Sequence, residues 1–199
     1  MMKRQIFPIP IYQGRVKNND RLKDILVGPI TETKDNIIQA PGDWLTTKCI
    51  TSFEYDEINE NVFQHPEISE QYMGVLETFF DEPWEIDIPN IWYNYYENGE
   101  YQEAHMHMGE YNCPLHLACV HFLSFDPSIH SPLVFTDPLS AIKSSSFESG
   151  YSEKCNLKVE EGDFLMFPNY LLHEVKAGLA TPEYPRITVS FNIRMLKYG

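Results

Sequence analysis

PRITVSFNIRML, residues 185–196, alternates apolar and polar side chains as far as Met195. Ile187, Val189, Phe191 and Ile193 fall on one face of an extended chain; Arg186, Thr188, Ser190 and Asn192 fall on the other. Successive side chains of a strand point to opposite faces, so a period of two marks a β-strand. Working back from this strand, the chain repeats the theme. KCNLKVEEGDFLMFPNYLLHEVKAG (154–178) reads as two strands about a Glu161-Gly162-Asp163 turn, followed by a loop. SPLVFTDP (131–138), LHLACVHFLSF (115–125) and IPNIWYNYY (88–96) are further runs rich in β-branched and aromatic residues, the last closed by Glu97-Asn98-Gly99. Many short strands at near-regular spacing predict an antiparallel sandwich or barrel.

The region before residue 85 differs. Residues 63–80 carry the best helical pattern. Ile68, Tyr72, Val75, Leu76 and Phe79 share one helix face, Pro66 is tolerated in a first turn, and Asp81-Glu82-Pro83 ends the run. The first 60 residues read as short extended pieces between turn signals such as Pro41-Gly42-Asp43. The expectation is one domain over residues 1–199. Its N-terminal extension runs from 1 to 84 with a helix about 63–80, and its mainly β core from 85 to 199.

Bulk properties narrow the function classes. A formal net charge of −14 on 199 residues repels phosphate backbones and anionic lipid, so neither nucleic acid nor membrane is an expected partner. The start, MMKRQIFPIPIYQGR, is apolar only briefly and is broken by Pro8 and Pro10, unlike a signal peptide or a membrane span. Cys49, Cys113, Cys119 and Cys155 form no C-x-x-C pattern, and four reduced thiols in a cytoplasmic protein are expected. A homodimer is one option for the oligomeric state.

The histidines carry the chemical signal. In an extended stretch His105 and His107 point to the same side, and imidazole suits zinc, copper, iron and nickel. An isolated H-x-H is as often structural as metal-binding. His173 in FPNYLLHEV is ordinary alone, and an arginine such as Arg186 at the head of a strand is ordinarily a surface charge or salt-bridge partner. His116 and His121 fall on opposite faces of one strand, with packing the default for His121. His65 and His130 flank prolines and are expected to be solvated.

Together these residues say more than they do singly. The blocks FPIP (7–10), WYN (92–94), HMH (105–107), GDFLMFPNYLLH (162–173) and RITVSFN (186–192) resemble a group of iron(II)- and 2-oxoglutarate-dependent oxygenases distantly similar to prolyl hydroxylases. The resemblance covers nearly the whole chain, and its two C-terminal blocks are the specific ones. It implies a jelly-roll, or double-stranded β-helix, core. His105, His107 and His173 would be iron ligands, with His107 standing where the superfamily commonly has a carboxylate. Glu103, Glu110 and Asp137 are the alternative carboxylates for that position. Arg186, with Thr188 beside it, would bind the far carboxylate of 2-oxoglutarate. Asn94 and Tyr96 would line the cosubstrate pocket, unless Asn94 caps a turn and Tyr96 is core. The implied activity is hydroxylation of a small molecule or peptide (peptidyl proline, an amino acid or another metabolite) using Fe(II), 2-oxoglutarate and O2, with release of succinate and CO2. The Ser- and Gly-containing segment 137–157 would serve as a lid. Two other readings compete. One is a cupin-like three-histidine iron dioxygenase without 2-oxoglutarate; the other is a non-catalytic jelly-roll binding module.

Overall fold

The computed structural model describes residues 9–38, 45–80, 85–108, 116–143 and 152–197. Eleven strands are present among them: β1 Tyr12–Arg15, β2 Ile50–Thr51, β3 Glu85–Asp87, β4 Ile91–Tyr96, β5 Gln102–His105, β6 Leu117–Ser124, β7 Leu133–Thr136, β8 Lys154–Asn156, β9 Asp163–Pro168, β10 His173–Val175 and β11 Arg186–Lys197. They form two antiparallel sheets. The larger has the order β1-β9-β6-β11-β4-β2, with β3 pairing the end of β11; the smaller has the order β5-β10-β7-β8. This is a jelly roll, mainly β with helices on one side.

The strands read from the sequence are present, but the loop expected after β9 contains β10, which carries His173 and is held as a strand by pairing with β5 and β7; two of the turns follow from glycine. Gly99 and Gly162 take φ of 76° and 85°, the left-handed region that a Cβ disfavours. The N-terminal region departs from expectation. It is not a set of extended pieces. It contains α1 (Asn19–Thr33) and α2 (Asp56–Phe63). Leu22, Leu26 and Ile30 recur every four residues and are fully buried, so α1 is held by one apolar stripe even though Pro29 lies inside it. The expected helix over 63–80 is shorter. α3 spans Pro66–Leu76, with Pro66 in its first turn and His65 Nδ1 accepting from the Glu67 backbone N–H at 3.3 Å. His65 is therefore a helix cap and half-buried. β1 and β2 also belong to the larger sheet, so the N-terminal region contributes strands to the barrel as well as helices. A short α4 (Ser140–Lys143) follows β7. No helix of the described residues is long and apolar enough to cross a membrane.

Two apolar clusters lie on opposite sides of the larger sheet. One packs Leu22, Leu26, Ile68, Tyr72 and Leu76 of the helices against Tyr93, Tyr95, Val189, Phe191 and Ile193. The other lies between the two sheets and includes Val120, Phe122, Leu133, Phe135, Phe167 and Val175. β11 therefore buries both faces. Its polar residues Arg186, Thr188, Ser190 and Asn192 are each at most 3% exposed and point into the barrel.

Candidate metal and cosubstrate site

β5 and β10 pair so that His105 and His173 stand directly opposite each other. His107 lies just beyond β5, and its place is fixed from both sides. Its backbone N–H donates to the Asn169 carbonyl at 2.9 Å, and Asn169 Nδ2 donates to the His107 carbonyl at 3.3 Å. The ring centroids are 5.3 Å (His105–His107), 4.3 Å (His105–His173) and 5.0 Å (His107–His173) apart. One ring nitrogen from each lies within 4.8 Å of the other two, the single such group of potential metal ligands among the described residues.

Hydrogen bonding sets the tautomers. His105 Nδ1 lies 2.8 Å from the Glu103 carbonyl and His173 Nδ1 lies 2.9 Å from the Leu171 carbonyl. A carbonyl only accepts, so both Nδ1 atoms carry the proton, and Nε2 carries the lone pair that a metal requires. His107 Nδ1 donates to Asn192 Oδ1 at 2.8 Å, and Asn192 Nδ2 donates in turn to Asn90 Oδ1 at 2.9 Å. Burial lowers the pKa of all three rings. Mutual repulsion deepens the shift for His107, which falls to about 3, and for His173. The cluster is neutral near pH 7, the state in which imidazole ligates a cation.

Along β11 and β4 a polar ladder leads away from the histidines. Arg186 pairs with Tyr96, Thr188 with Asn94, and Ser190 with Trp92. Asn94 Nδ2 donates to Ser190 Oγ at 3.2 Å and reaches Thr188 Oγ1 at 3.5 Å. Tyr96 OH donates to Gln102 Oε1 at 2.9 Å. Together with the three histidines these residues line a narrow cavity of about 10 Å³. Asn94 and Tyr96 are thus on the cavity wall; Asn94 caps no turn.

Arg186 is 2% exposed. Its Nε donates to the Ser131 carbonyl at 3.0 Å. Its guanidinium carbon sits 4.4 Å from the Tyr96 ring centroid, with Phe122 and Phe125 close by. Nη1 and Nη2 are buried and have no acceptor among the described residues. Burial lowers the guanidinium pKa, partly offset by Tyr96 and Cys49, but an arginine starts high enough to stay charged. A buried, charged, half-unpaired fork is costly unless an anion occupies it.

The remaining sequence candidates lie elsewhere. The Glu103 carboxylate accepts from the Leu45 and Thr46 backbone N–H groups and from Thr46 Oγ1. Only its main chain serves the site, through His105. The Asp137 carboxylate accepts from the Leu139 N–H and from Lys143 Nζ. Glu110 and Cys113 lie outside the described residues. His130 is not solvated. It is 5% exposed, with Nδ1 accepting from the Asp126 N–H and Nε2 donating to the Tyr184 carbonyl. His121 packs on the helix side, 3.0 Å from Tyr72 OH, and His116 accepts from the Met195 N–H. Cys49, Cys119 and Cys155 are free thiols, the first two buried. Of the expected lid, 144–151 lies outside the described residues, while Asp137 N–H donating to the Glu153 carbonyl closes its base. Sequence reasoning does not single out Asn192 or the Ser131 carbonyl. The alternation places Asn192 on the Arg186 face, but nothing local shows that it meets His107.

The fold and the site define a jelly-roll protein with a triad of neutral imidazoles, His173 buried and His105 and His107 half-buried, and a buried cation in one cavity. Residues 90–192 match the family described as "Putative 2OG-Fe(II) oxygenase", and the chain belongs to that family. It is accordingly a 2-oxoglutarate-dependent oxygenase whose cofactors are Fe(II), 2-oxoglutarate and O2. A search of curated protein sequences gives no match. Among solved structures, a prolyl-4-hydroxylase from Pseudomonas putida is 10% identical, with 94% of each chain covered and a TM-score of 0.57. HygX from Streptomyces hygroscopicus, solved with nickel and 2-oxoglutarate, is also 10% identical, over 96% of this chain and 84% of that one, with a TM-score of 0.59. SnoN, a non-heme alpha-ketoglutarate-dependent epimerase from nogalamycin biosynthesis, is 9% identical over 94% and 78%, with a TM-score of 0.61. At these identities the likeness is one of fold.

Proposed function

We propose that the barrel is the active site of a hydroxylase in which His105, His107 and His173 hold iron(II) and Arg186 binds the far carboxylate of 2-oxoglutarate. The observation that carries this reading is the unpaired Nη1 and Nη2 of Arg186, buried in the same cavity as the histidine triad. Bound iron(II) and 2-oxoglutarate supply oxidising chemistry in which O2 is split, the keto acid leaves as succinate and CO2, and one oxygen atom enters a substrate C–H bond.

The chain's own residues do the positioning. Glu103, Leu171 and Asn192 hold the imidazoles in the tautomer that presents a lone pair. Ser131 fixes Arg186 Nε, so the outer two nitrogens form a preset fork for a carboxylate. Thr188 and Tyr96 flank that fork with hydroxyls. Leu133, Val120 and Val175 close the walls and exclude water, which strengthens each charge interaction inside. The substrate is a small molecule or peptide that reaches the histidines from the barrel mouth.

A cupin-like three-histidine dioxygenase would leave Arg186 without an occupant, and a binding module would not need three neutral imidazoles on one point. The test is succinate release by the iron-loaded protein with 2-oxoglutarate, assayed with and without candidate substrates. Slow uncoupled turnover that depends on both iron and 2-oxoglutarate is expected. Oxygen consumption independent of 2-oxoglutarate would establish the three-histidine dioxygenase instead.

A further inference from the structure

Arg186 is not the only unsatisfied donor in the barrel. Trp92 is 4% exposed, and its indole Nε1–H is buried without an acceptor among the described residues. An indole nitrogen only donates, so no rotation converts this group into a satisfied one. Hydroxyls such as Ser190 Oγ turn to suit their neighbours; the Trp92 ring has no such freedom, because Phe53 packs edge-on at 4.9 Å. A buried donor left unpaired costs its full desolvation.

Its position is informative. The Trp92 and His107 ring centroids are 5.5 Å apart, so Trp92 stands at the histidine end of the cavity. Arg186 pairs with Tyr96, at the opposite end of β4 from the Trp92–Ser190 pair. The cavity therefore holds unpaired donors at two separated places, a charged fork far from the histidines and a neutral N–H beside them. Between them Asn94 Oδ1 is also buried and unpaired. A 2-oxo diacid carries an anionic group at each end. One end matches the Arg186 fork. The other, next to a metal, already has a cation and gains from a neutral donor that adds direction without further charge.

We propose that Trp92 Nε1–H donates to the metal-proximal carboxylate of 2-oxoglutarate, which makes Trp92 a positioning residue for the cosubstrate. The proposal rests on the reading that 2-oxoglutarate binds in this barrel. It would orient the keto acid at the histidine end of the cavity, as Arg186 would hold it at the other end.

The test uses the full chain loaded with zinc(II), which is redox-silent and diamagnetic, and 15N-labelled tryptophan. The chain has three tryptophans, so Trp92→Phe assigns the Trp92 indole signal. Adding 2-oxoglutarate is expected to move that signal downfield and slow its exchange with solvent, leaving the other two indoles in place. Trp92→Phe keeps an aromatic ring and loses the donor; its Kd for 2-oxoglutarate should rise about tenfold with zinc affinity unchanged. An unmoved indole signal in wild-type protein that binds 2-oxoglutarate overturns the Trp92 assignment and leaves the cosubstrate reading standing. So does an unchanged Kd in Trp92→Phe. A parallel loss of zinc affinity in that variant overturns it too, by making Trp92 a packing partner of His107. Wild-type zinc protein that fails to bind 2-oxoglutarate at all sinks both.

Discussion

The larger sheet shows two different ways of burying a face. Toward the helices it presents Tyr93, Tyr95, Val189, Phe191 and Ile193, packed against the stripes of α1 and α3. Toward the barrel the same strands present Trp92, Asn94, Arg186, Thr188 and Ser190. The helix side is largely self-sufficient, since apolar groups need only each other. The barrel side holds donors with no protein acceptor among the described residues: Arg186 Nη1 and Nη2, and Trp92 Nε1. Polar groups left buried in this way mark a place completed by something other than protein, and here they surround three neutral imidazoles. On β11 the apolar residues face the helices and the polar residues that line the site face the barrel, where the second apolar cluster surrounds them.

Substitutions can break this contrast, and the largest effect is expected at the metal triad. His173→Ala or His105→Ala should abolish metal binding, measured by calorimetric titration of iron(II) under anaerobic conditions, while the fold persists. Full metal affinity in either variant would remove the triad. His107→Asp should keep or improve iron binding, because a carboxylate lowers the charge of the site, whereas His107→Ala should weaken it. On the opposite face, Phe191→Ala removes a fully buried ring and should cost about 3–5 kcal/mol of stability. Chemical denaturation reads that loss; a metal affinity that fell with it would show that the two faces are not separable.

Arg186→Ala should weaken 2-oxoglutarate by about 2–5 kcal/mol, roughly 30- to several-thousand-fold, and leave metal affinity intact. Arg186→Lys should restore part of it, keeping charge but losing the fork. Unlike Phe191→Ala, Arg186→Ala should change the melting temperature of the ligand-free protein little, because relief of the half-unpaired buried charge offsets loss of the Ser131 bond and the Tyr96 stacking. An unchanged Kd for 2-oxoglutarate in Arg186→Ala would return the site to the three-histidine dioxygenase reading. A smaller effect is expected at Asn192, which holds the His107 tautomer. Asn192→Ala should lower metal affinity about 10- to 100-fold, and Asn192→Asp should retain it.

The smallest expected effect sharpens the comparison from the helix side. His121, bonded to Tyr72, is the exception to the apolar packing there, and burial lowers its pKa to about 3. Between that value and the ordinary histidine value near 6.5, the unfolded chain binds a proton that the folded chain does not. Stability is therefore present above about pH 6.5 and lost as pH falls toward 3, by about 2 kcal/mol between pH 6.5 and 5. The double variant Tyr72→Phe, His121→Phe should fold at pH 8 and lose less stability over that interval than the wild type. Equal slopes in urea melts across pH would show that His121 is not a source of the acid sensitivity.

Part of the site is legible in the sequence. H-x-H, a distal histidine and the arginine at the head of the last strand are local patterns, and the two-residue period of β11 fixes which side chains share a face. Other features are not local. The Gly28-Pro29 pair and the polar residues around it hide α1, whose three buried residues become a stripe only when packed on the sheet. Pro66 begins α3 with His65 as its cap, which makes the helix shorter than its apolar pattern. His130 has the sequence surroundings of a loop residue and is buried because two backbone groups far apart in sequence, at Asp126 and Tyr184, meet its ring.

The sequence by itself determined the six longer or more apolar strand segments, the polar and apolar faces of β11 and the residue types able to hold a metal and an anion, because these depend on periodicity and on the chemistry of single side chains. Only the tertiary structure decided that the polar face of β11 is buried, that Glu103 and Asp137 are engaged elsewhere, that Asn192 reaches His107, and that Arg186 and Trp92 keep unpaired donors in one cavity. Those facts depend on which strands pair and in what register. A residue's burial and its hydrogen-bond partners are properties of the neighbours that the fold brings to it, and here most of them come from distant parts of the chain.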